Sequence, residues 1–451
     1  MLALEFLPEC TNLGKGVETR NLLNYPEVYI EASTRFTVEP ILNDRSLVVL
    51  TPSEALHPLA SSQGLFCRGV YGCRSFSMLL PSRSADIRFT LVFKGGDVQN
   101  KDGVLQHAFR VSKKQIPGAG NLPDTELEFD SAMTLQKLAL EKLGMLTHTA
   151  LPLAVRKILT LRTNGQSISL RDFLNSDDYL EVTQEVADVY GLKRGVLLGD
   201  LILDQNGVVP AAYIYVIEGL DIRTCEMVRI LFSQDPPSKA TIAEDELYNH
   251  YGILRPLISS CLQKEDKFIL LTAVYKTLGN EYGFTLEDIT EVITDRPDQS
   301  TAYLDQLNSM RDLLRGKAIA LKVLTRFIKR VVEVAALAHS EGYTLAMERY
   351  VGSSLSSRNV TYNGIVLDLD TFGSLKDAQY GSLYCDLKEM LATILVMRRL
   401  VSRDIVSWLF DQMSEIYLQQ LRDFEAGKQR VELGKETLHK IKKDMDAKKY
   451  S

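Results

Sequence analysis

Asn359 and Asp368 stand nine positions apart in Ser356-Ser-Arg-Asn359-Val-Thr-Tyr-Asn-Gly-Ile-Val-Leu-Asp368-Leu-Asp370-Thr-Phe-Gly373. Between them lies Asn363-Gly364, a strong short-range hairpin signal. A hairpin there returns Asp368 toward Asn359. An amide oxygen and a carboxylate converging in this way suit Mg2+ held jointly with phosphates, the clamp that phosphoryl-type transfer requires. The same residues also suit a surface hairpin with turn-forming Asn and Asp, and this segment alone does not separate the two.

Three other segments precede it in the order a nucleotide cleft needs. Gly64-Leu-Phe-Cys-Arg-Gly69-Val-Tyr-Gly72 carries glycines, Gly69 and Gly72 among them, that let a turn bring backbone amides close to phosphates; three glycines in such a stretch equally mark an ordinary hairpin. Lys94 ends the apolar run Thr90-Leu-Val-Phe and is followed by Gly95-Gly96. An ammonium at a strand end can pair with phosphate and with a carboxylate from the next helix, or simply snorkel from a strand edge. Glu126, Glu128 and Asp130 are the candidate partner acids. Glu128 is preferred because Glu128-Phe129 directly precedes the helical run, although acids there also complement a helix N-terminus. Arg223, in Asp221-Ile-Arg223-Thr, can fork onto phosphate oxygens or form a surface ion pair.

The elements that must position these groups follow from periodicity. Residues 1–60 read as an irregular N-terminal extension. Ser75–Leu80 and Ile87–Phe93 alternate like half-buried strands. Phe129–Leu143 takes helical spacing and closes at Gly144. Leu151–Leu161 and Val208–Ile217 read as strands. Residues 240–350 read as mostly helical, with Lys317–His339 the clearest helix, and 383–425 return to helix after the Gly- and Ser-containing break at 350–375. Residues 426–451 are a lysine-containing tail, read as a solvated helix or frayed end. The order is a β-rich N-lobe with one long helix (61–240), then a helical C-lobe with the metal-binding loop (241–425). It predicts an α+β, bilobal, protein-kinase-like fold, an order that other α+β arrangements share.

Taken together, the four segments resemble the selenoprotein O family of kinase-like protein adenylyltransferases over about residues 61–375. Ser61-Ser-Gln-Gly-Leu through Tyr71-Gly-Cys-Arg is similar to its glycine-rich entry, Phe93-Lys-Gly-Gly to its lysine strand, and Leu143-Gly-Met-Leu-Thr-His-Thr-Ala-Leu to the stretch after its regulatory helix. Ile222-Arg223 is similar to its phosphate-contacting pair. Asn359 and Asp368 match its metal-binding Asn and Asp, with the same spacing and a following Phe-Gly. The resemblance implies an ATP site with Lys94 on phosphates, Arg223 near them, and Mg2+ on Asn359 and Asp368. The chain departs from the pattern at Arg358, where the family carries an aspartate proposed as base, and at Tyr215 or Val216, where it carries a second arginine. A second resemblance, in Gly352-Ser-Ser-Leu-Ser-Ser-Arg-Asn, is to siderophore-microcin maturation proteins of the MchC or MceJ kind. It implies work in joining a glycosylated siderophore to a peptide C-terminus, beside an acyltransferase-like partner subunit, a reaction that activation of the carboxylate by ATP would suit chemically. A carboxylate is already ionised near neutral pH and needs no base.

The expectation is an ATP- and Mg2+-dependent nucleotidyl- or phosphoryl-transfer enzyme acting on a protein or peptide. The alternative is a non-catalytic pseudokinase subunit that binds and stabilises a partner enzyme. Serine-nucleophile chemistry is poorly supported: Ser353, Ser354, Ser356 and Ser357 lack a Gly-x-Ser-x-Gly elbow and read as a polar loop supporting Asn359. Composition agrees. The 451 residues are 45% hydrophobic and 24% charged, with net charge −6, so any phosphate affinity comes from a few placed groups and nucleic-acid binding is not expected. Six scattered cysteines form neither a disulfide framework nor a zinc pattern. With no secretory signal and no apolar span, the expected setting is a reducing cytoplasm.

Overall fold

The computed structural model of the protein describes residues 13–36, 42, 47–49, 60–61, 64–68, 75–80, 89–95, 120–163, 166–174, 203, 208–219, 223–224, 318–346, 353–375, 380–397 and 405–447. The fold is α+β, with a mostly antiparallel sheet and a set of helices. Contacts divide the chain into two compact units. Unit one is Met1–Asp130, Leu151–Ile217 and Ala243–Leu262; unit two is Ser131–Ala150, Glu218–Ile242 and Gln263–Ser451. Each unit is discontinuous in sequence. The helical expectation for residues 240–317 lies outside the described residues.

Unit one is built on the sheet. Its strands are β1 (Leu13–Asn21), β2 (Leu47–Val49), β3 (Ala60–Ser61), β4 (Gly64–Arg68), β5 (Ser75–Leu80), β6 (Phe89–Lys94), β7 (Gly120–Asn121), β8 (Leu151–Thr163), β9 (Gln166–Ser169) and β10 (Pro210–Glu218). They run in the order β2-β1-β8-β10-β6-β5-β4-β3, with β7 paired to β10 and β9 to β8. The β5/β6 hairpin pairs Ser75 with Lys94 and Leu80 with Phe89, as the alternation predicts. Helix α1 (Pro26–Arg35) follows β1, and the short α3 (Leu170–Leu174) follows β9.

Two sequence expectations change here. Residues 13–36, read as irregular, contain β1 and α1, and β1 sits inside the sheet between β2 and β8. Its pairing with β8 shifts register between Lys15 and Gly16 and again between Glu18 and Arg20. Each shift breaks the two-residue period, so the polar string LGKGVETRN does not look like a strand. Helix α2 (Leu122–Leu143) begins seven residues before the expected Phe129. Its first turns are polar, and their anchoring is backbone-directed: Leu122 N donates to Val209 O at 2.8 Å and Thr125 Oγ1 to Asn121 O at 2.7 Å. The expected end holds, with Gly144 at φ 69° and its N–H donating to Leu140 O at 3.1 Å, the left-handed stop that favours glycine.

Unit two is mainly helical: α4 (Ala318–Ser340), α5 (Tyr380–Met397), α6 (Val406–Asp423) and α7 (Val431–Ala447), with a two-stranded ribbon of β11 (Tyr343–Thr344) and β12 (Gly373–Ser374). Leu324, Phe327, Ile328, Val331, Val334 and Ala335 of α4 are fully buried; most lie three or four positions apart, the apolar stripe of an amphipathic helix. The tail is not simply solvated. Val431, Leu438 and Ile441 of α7 are buried, and a Cβ on Gly434 would meet Tyr417 at 3.2 Å and Leu421 at 3.3 Å. Lys435 and Lys442 lie on the exposed side, which is why the charge pattern masks the apolar face. Among the described residues no helix is long and apolar enough to cross a membrane.

Candidate functional site

In unit one, Lys94 ends β6 and its Nζ lies 2.6 Å from Glu128 Oε2. Gly95 makes this placement possible. It sits at φ 86°, and a Cβ there would lie 2.6 Å from both Ala211 O and Gly120 N. Only glycine lets the chain turn away so tightly after the lysine. Glu128 is 5% exposed, so its charge is held in a low-dielectric setting where the pair is stronger than on a surface. The neighbouring Phe129 is fully buried, with ring contacts to Tyr25 at 6.1 Å and Tyr213 at 6.4 Å. Glu128 lies inside α2, not ahead of it. The other two candidate acids go elsewhere: Asp130 and Glu126 both bind Arg20 of β1, at 3.0 Å each.

In unit two, the 359–368 segment is a hairpin. Leu367 N donates to Asn359 O at 2.7 Å, Thr361 N to Ile365 O at 2.9 Å, and Gly364 N to Thr361 O at 2.9 Å. Gly364 takes φ 86°, which closes a three-residue loop in one of the common hairpin forms. The backbones of Asn359 and Leu367, the residue before Asp368, are thus direct neighbours. Arg223 joins the same hairpin through an isolated antiparallel bridge to Thr361. Thr224 fixes that bridge, its N and Oγ1 both donating to Val360 O at 2.8 Å. Asp368 is the non-glycine residue with positive φ among the described residues, at 57°. Backbone of this kind costs of order 1 kcal/mol and concentrates at functional sites.

The hairpin is supported from several sides. Val366 N donates to His148 O and Ala150 N donates to Val366 O. The 147–150 segment is in turn held to α2, since Gln136 Nε2 donates to Thr149 Oγ1 at 2.9 Å and Thr147 N donates to Gln136 Oε1 at 3.0 Å. At the turn, Asn363 Nδ2 donates to Glu218 O at 3.0 Å and Arg330 Nη1 donates to Asn363 O at 3.2 Å. Arg330 also forms a short ion pair with the Glu218 carboxylate. Burial alone would raise the Glu218 carboxyl, but the charge and hydrogen bond of Arg330, with His148 and Arg326 beyond, hold it below the ordinary range.

Sequence reasoning missed Asp386 on α5. It is fully buried. Its Oδ2 accepts from Thr344 Oγ1 at 2.6 Å and Leu345 N at 2.8 Å, and its Oδ1 accepts from Ser353 Oγ at 2.6 Å. His339 Nε2 lies 3.0 Å from Oδ2, and His339 Nδ1 lies 2.8 Å from Tyr417 OH. All partners are satisfied when His339 donates from Nε2 and accepts the Tyr417 proton at Nδ1. Burial, then the Asp386 charge, pushes the Tyr417 hydroxyl far above its ordinary value, so it stays a donor. Beside Ser353, Ser354 Oγ donates to Asp368 O at 2.7 Å. The serine loop therefore links Asp386 to the hairpin's end. One signal was available: Leu383, Asp386, Leu387 and Met390 fall on one helical face, with an acid where an apolar residue is expected.

Arg358, in the place of the resembling family's aspartate, is half-buried. Its charge and that of Lys388 act on Glu389, whose carboxyl burial nonetheless keeps raised. Gly69 and Gly72 lie outside the described residues. Among the described residues there is no cluster of three or more His, Cys, Asp or Glu side chains able to hold a metal ion. The donors in question are one amide and one carboxylate, and such hard oxygens suit Mg2+ completed by phosphate and water. The chain matches no protein-family model, no curated protein and no solved structure closely enough to establish a relationship.

Proposed function

We propose that the protein is an ATP- and Mg2+-dependent nucleotidyl- or phosphoryl-transfer enzyme of bilobal, kinase-like fold that modifies a protein or peptide. The observation that supports this reading is the hairpin backbone, which pairs Asn359 with Leu367 beside Asp368, carries Asp368 in the left-handed region and takes a bridge from Arg223 at Thr361. Asn359 and Asp368 would hold the metal, and bound Mg2+ would neutralise phosphate charge during transfer. Arg223 would fork onto a phosphate. Within the first unit, Lys94 paired with Glu128 is a cation of the kind that would contact a phosphate. Arg358 in place of an acid favours an acceptor that needs no base. A peptide C-terminal carboxylate meets that need, as in siderophore attachment during microcin maturation, beside an acyltransferase-like partner.

Calorimetric titration of ATP with and without Mg2+ tests the reading. Metal-dependent binding should vanish in Asp368→Ala while far-UV circular dichroism stays unchanged; equal affinity in that variant would sink it. Mass spectrometry of candidate acceptors after incubation with isotopically labelled ATP separates AMP from phosphate transfer. Arg358 also favours a second reading, a non-catalytic pseudokinase subunit. Full activity of a partner complex carrying Lys94→Ala and Asp368→Ala supports that reading, and loss of activity without dissociation rejects it.

A further inference from the structure

Arg20 occupies an unusual position for a strand residue. Along a regular strand, residues two apart face the same side, so Arg20 should follow Glu18. The β1/β8 register shows otherwise: Glu18 is paired with Arg156, but Arg20 is paired with Val155. Thr19 is the extra residue of a bulge, a device that re-aims the side chain beyond it. Val155 is also the partner of Tyr213 on β10, and Tyr213 meets Phe129 of α2. The bulge therefore turns Arg20 onto the sheet face that carries α2.

There its guanidinium bridges two acids. Nε lies 3.0 Å and Nη2 3.1 Å from the two oxygens of Asp130, and Nη1 lies 3.0 Å from Glu126 Oε1. A further bond from Nη1 to Thr19 O at 3.1 Å holds the fork in plane. Glu126 and Asp130 are one turn apart on a single face of the helix. Glu128 is two residues from each, about 200° around the axis, on the side that meets Lys94. The helix is thus gripped on one face by β1 and on the other by β6.

We propose that Arg20 is a positioning residue that sets the rotation of α2 and so presents Glu128 to Lys94. The inference rests on the reading of Lys94–Glu128 as the phosphate-directed pair. It makes the N-terminal strand part of the nucleotide machinery rather than an appendage. The bridge needs a planar fork, so lysine at this position keeps the charge and loses the geometry.

The test is carried out on the full chain with two readouts. The first is competitive acetylation of Lys94, quantified by peptide mass spectrometry. Glu128→Gln sets the scale for a released lysine, with labelling about fivefold faster once the charge-assisted bond is gone. Arg20→Ala, and independently Glu126→Gln with Asp130→Asn, should approach that rate, and Arg20→Lys should fall between. Adding Arg20→Ala to Glu128→Gln should add nothing, since the two act as one unit. A merely structural Arg20 would lower the melting temperature and leave Lys94 labelling at the wild-type level, and that result overturns the inference. If Arg20→Ala does not fold, the Glu126/Asp130 variant carries the same test. The second readout is Mg2+-ATP affinity, expected to fall in parallel with labelling. Should labelling respond but affinity stay constant in every variant, Glu128→Gln included, the nucleotide reading fails and the positioning role stands.

Discussion

Ser353 Oγ donates to Asp386 Oδ1 at 2.6 Å across a separation of 33 residues, and through it a helix carboxylate organises the loop leading to Asn359. The same carboxylate meets Thr344, Leu345 and His339 with no solvent access. Removing it takes an acceptor from four buried donors; Thr344 Oγ1 and Ser353 Oγ keep the carbonyls of Ala346 and Leu345, while Leu345 N and His339 Nε2 lose the carboxylate. Asp386→Ala should therefore cost about 3–5 kcal/mol in urea or guanidinium unfolding. Ser353→Ala removes the bonds from Ser353 Oγ to Asp386 Oδ1 and Leu345 O and the one it accepts from Leu355 N, and should cost about 1–3 kcal/mol. A loss below 1 kcal/mol in Asp386→Ala would mean the network does not hold the loop.

Gly364 and Gly144 offer a paired test of the hairpin. Both have positive φ, at 86° and 69°. A Cβ on Gly364 would lie 3.0 Å from Arg330 Cβ and 3.1 Å from Phe327 O, whereas nothing lies within 4 Å at Gly144. Alanine at Gly144 should cost only the left-handed penalty of about 1 kcal/mol. Alanine at Gly364 adds crowding against α4 and should cost about 2–3 kcal/mol. Equal losses by chemical denaturation would contradict the tight packing of the turn.

Much of this arrangement is legible in the sequence where one physical signal dominates. Alternation finds β5 and β6 because their hairpin keeps a regular register. Three- and four-residue spacing finds α4 because its buried face is continuous. Asn363-Gly364 finds the hairpin because Gly364 needs a conformation few residues adopt. The hidden parts are those where two signals compete. Bulges erase the period of β1, polar first turns hide the start of α2, and lysines mask the buried stripe of α7. Glu128 is preferred from the sequence as the residue ahead of the helical run and it does meet Lys94, but the reason does not hold, because the helix already begins at Leu122. The assignment of Glu126, Glu128 and Asp130 depends on which strand reaches which face of the helix, and Arg20 lies more than a hundred residues upstream.

Glu218 and Glu333 should give opposite pH signatures. The Glu218 carboxyl is held below its ordinary 4.5, so the folded state binds fewer protons than the unfolded one in the acid range. Its contribution is present above about pH 4.5 and is lost as pH falls through the lowered value. Glu333 is raised by burial, with Thr147 and Arg330 opposing. Its folded form favours the proton, so its contribution is present at low pH and lost as pH rises through the raised value. Glu218→Gln should lower stability at pH 7 by about 3 kcal/mol and flatten the acid limb. Glu333→Gln should preserve or raise stability at pH 7 and leave the acid limb intact. His148, 3.8 Å from Glu333 and felt by Glu218, is kept in both variants. Denaturation series from pH 3 to 8 decide the matter, and slopes of the same sign would refute the assignment.

Asp368 separates backbone demand from chemistry. Its left-handed conformation, φ 57°, is tolerated by Asp and Asn far better than by β-branched residues. Asp368→Asn should therefore change unfolding free energy by less than about 1 kcal/mol. Asp368→Val should cost about 2 kcal/mol, because its Cβ substituents crowd the following carbonyl. If the residue holds Mg2+, both variants lose metal-dependent ATP binding by tenfold or more, since a neutral amide replaces an anionic oxygen ligand poorly and valine supplies no ligand oxygen. Stability would then follow backbone fit while binding follows charge. An Asp368→Asn variant that unfolds like Asp368→Val would show that side-chain interactions, not the turn, fix this residue. An Asp368→Asn variant that is stable and still binds Mg2+-ATP at wild-type affinity would remove Asp368 from the metal site.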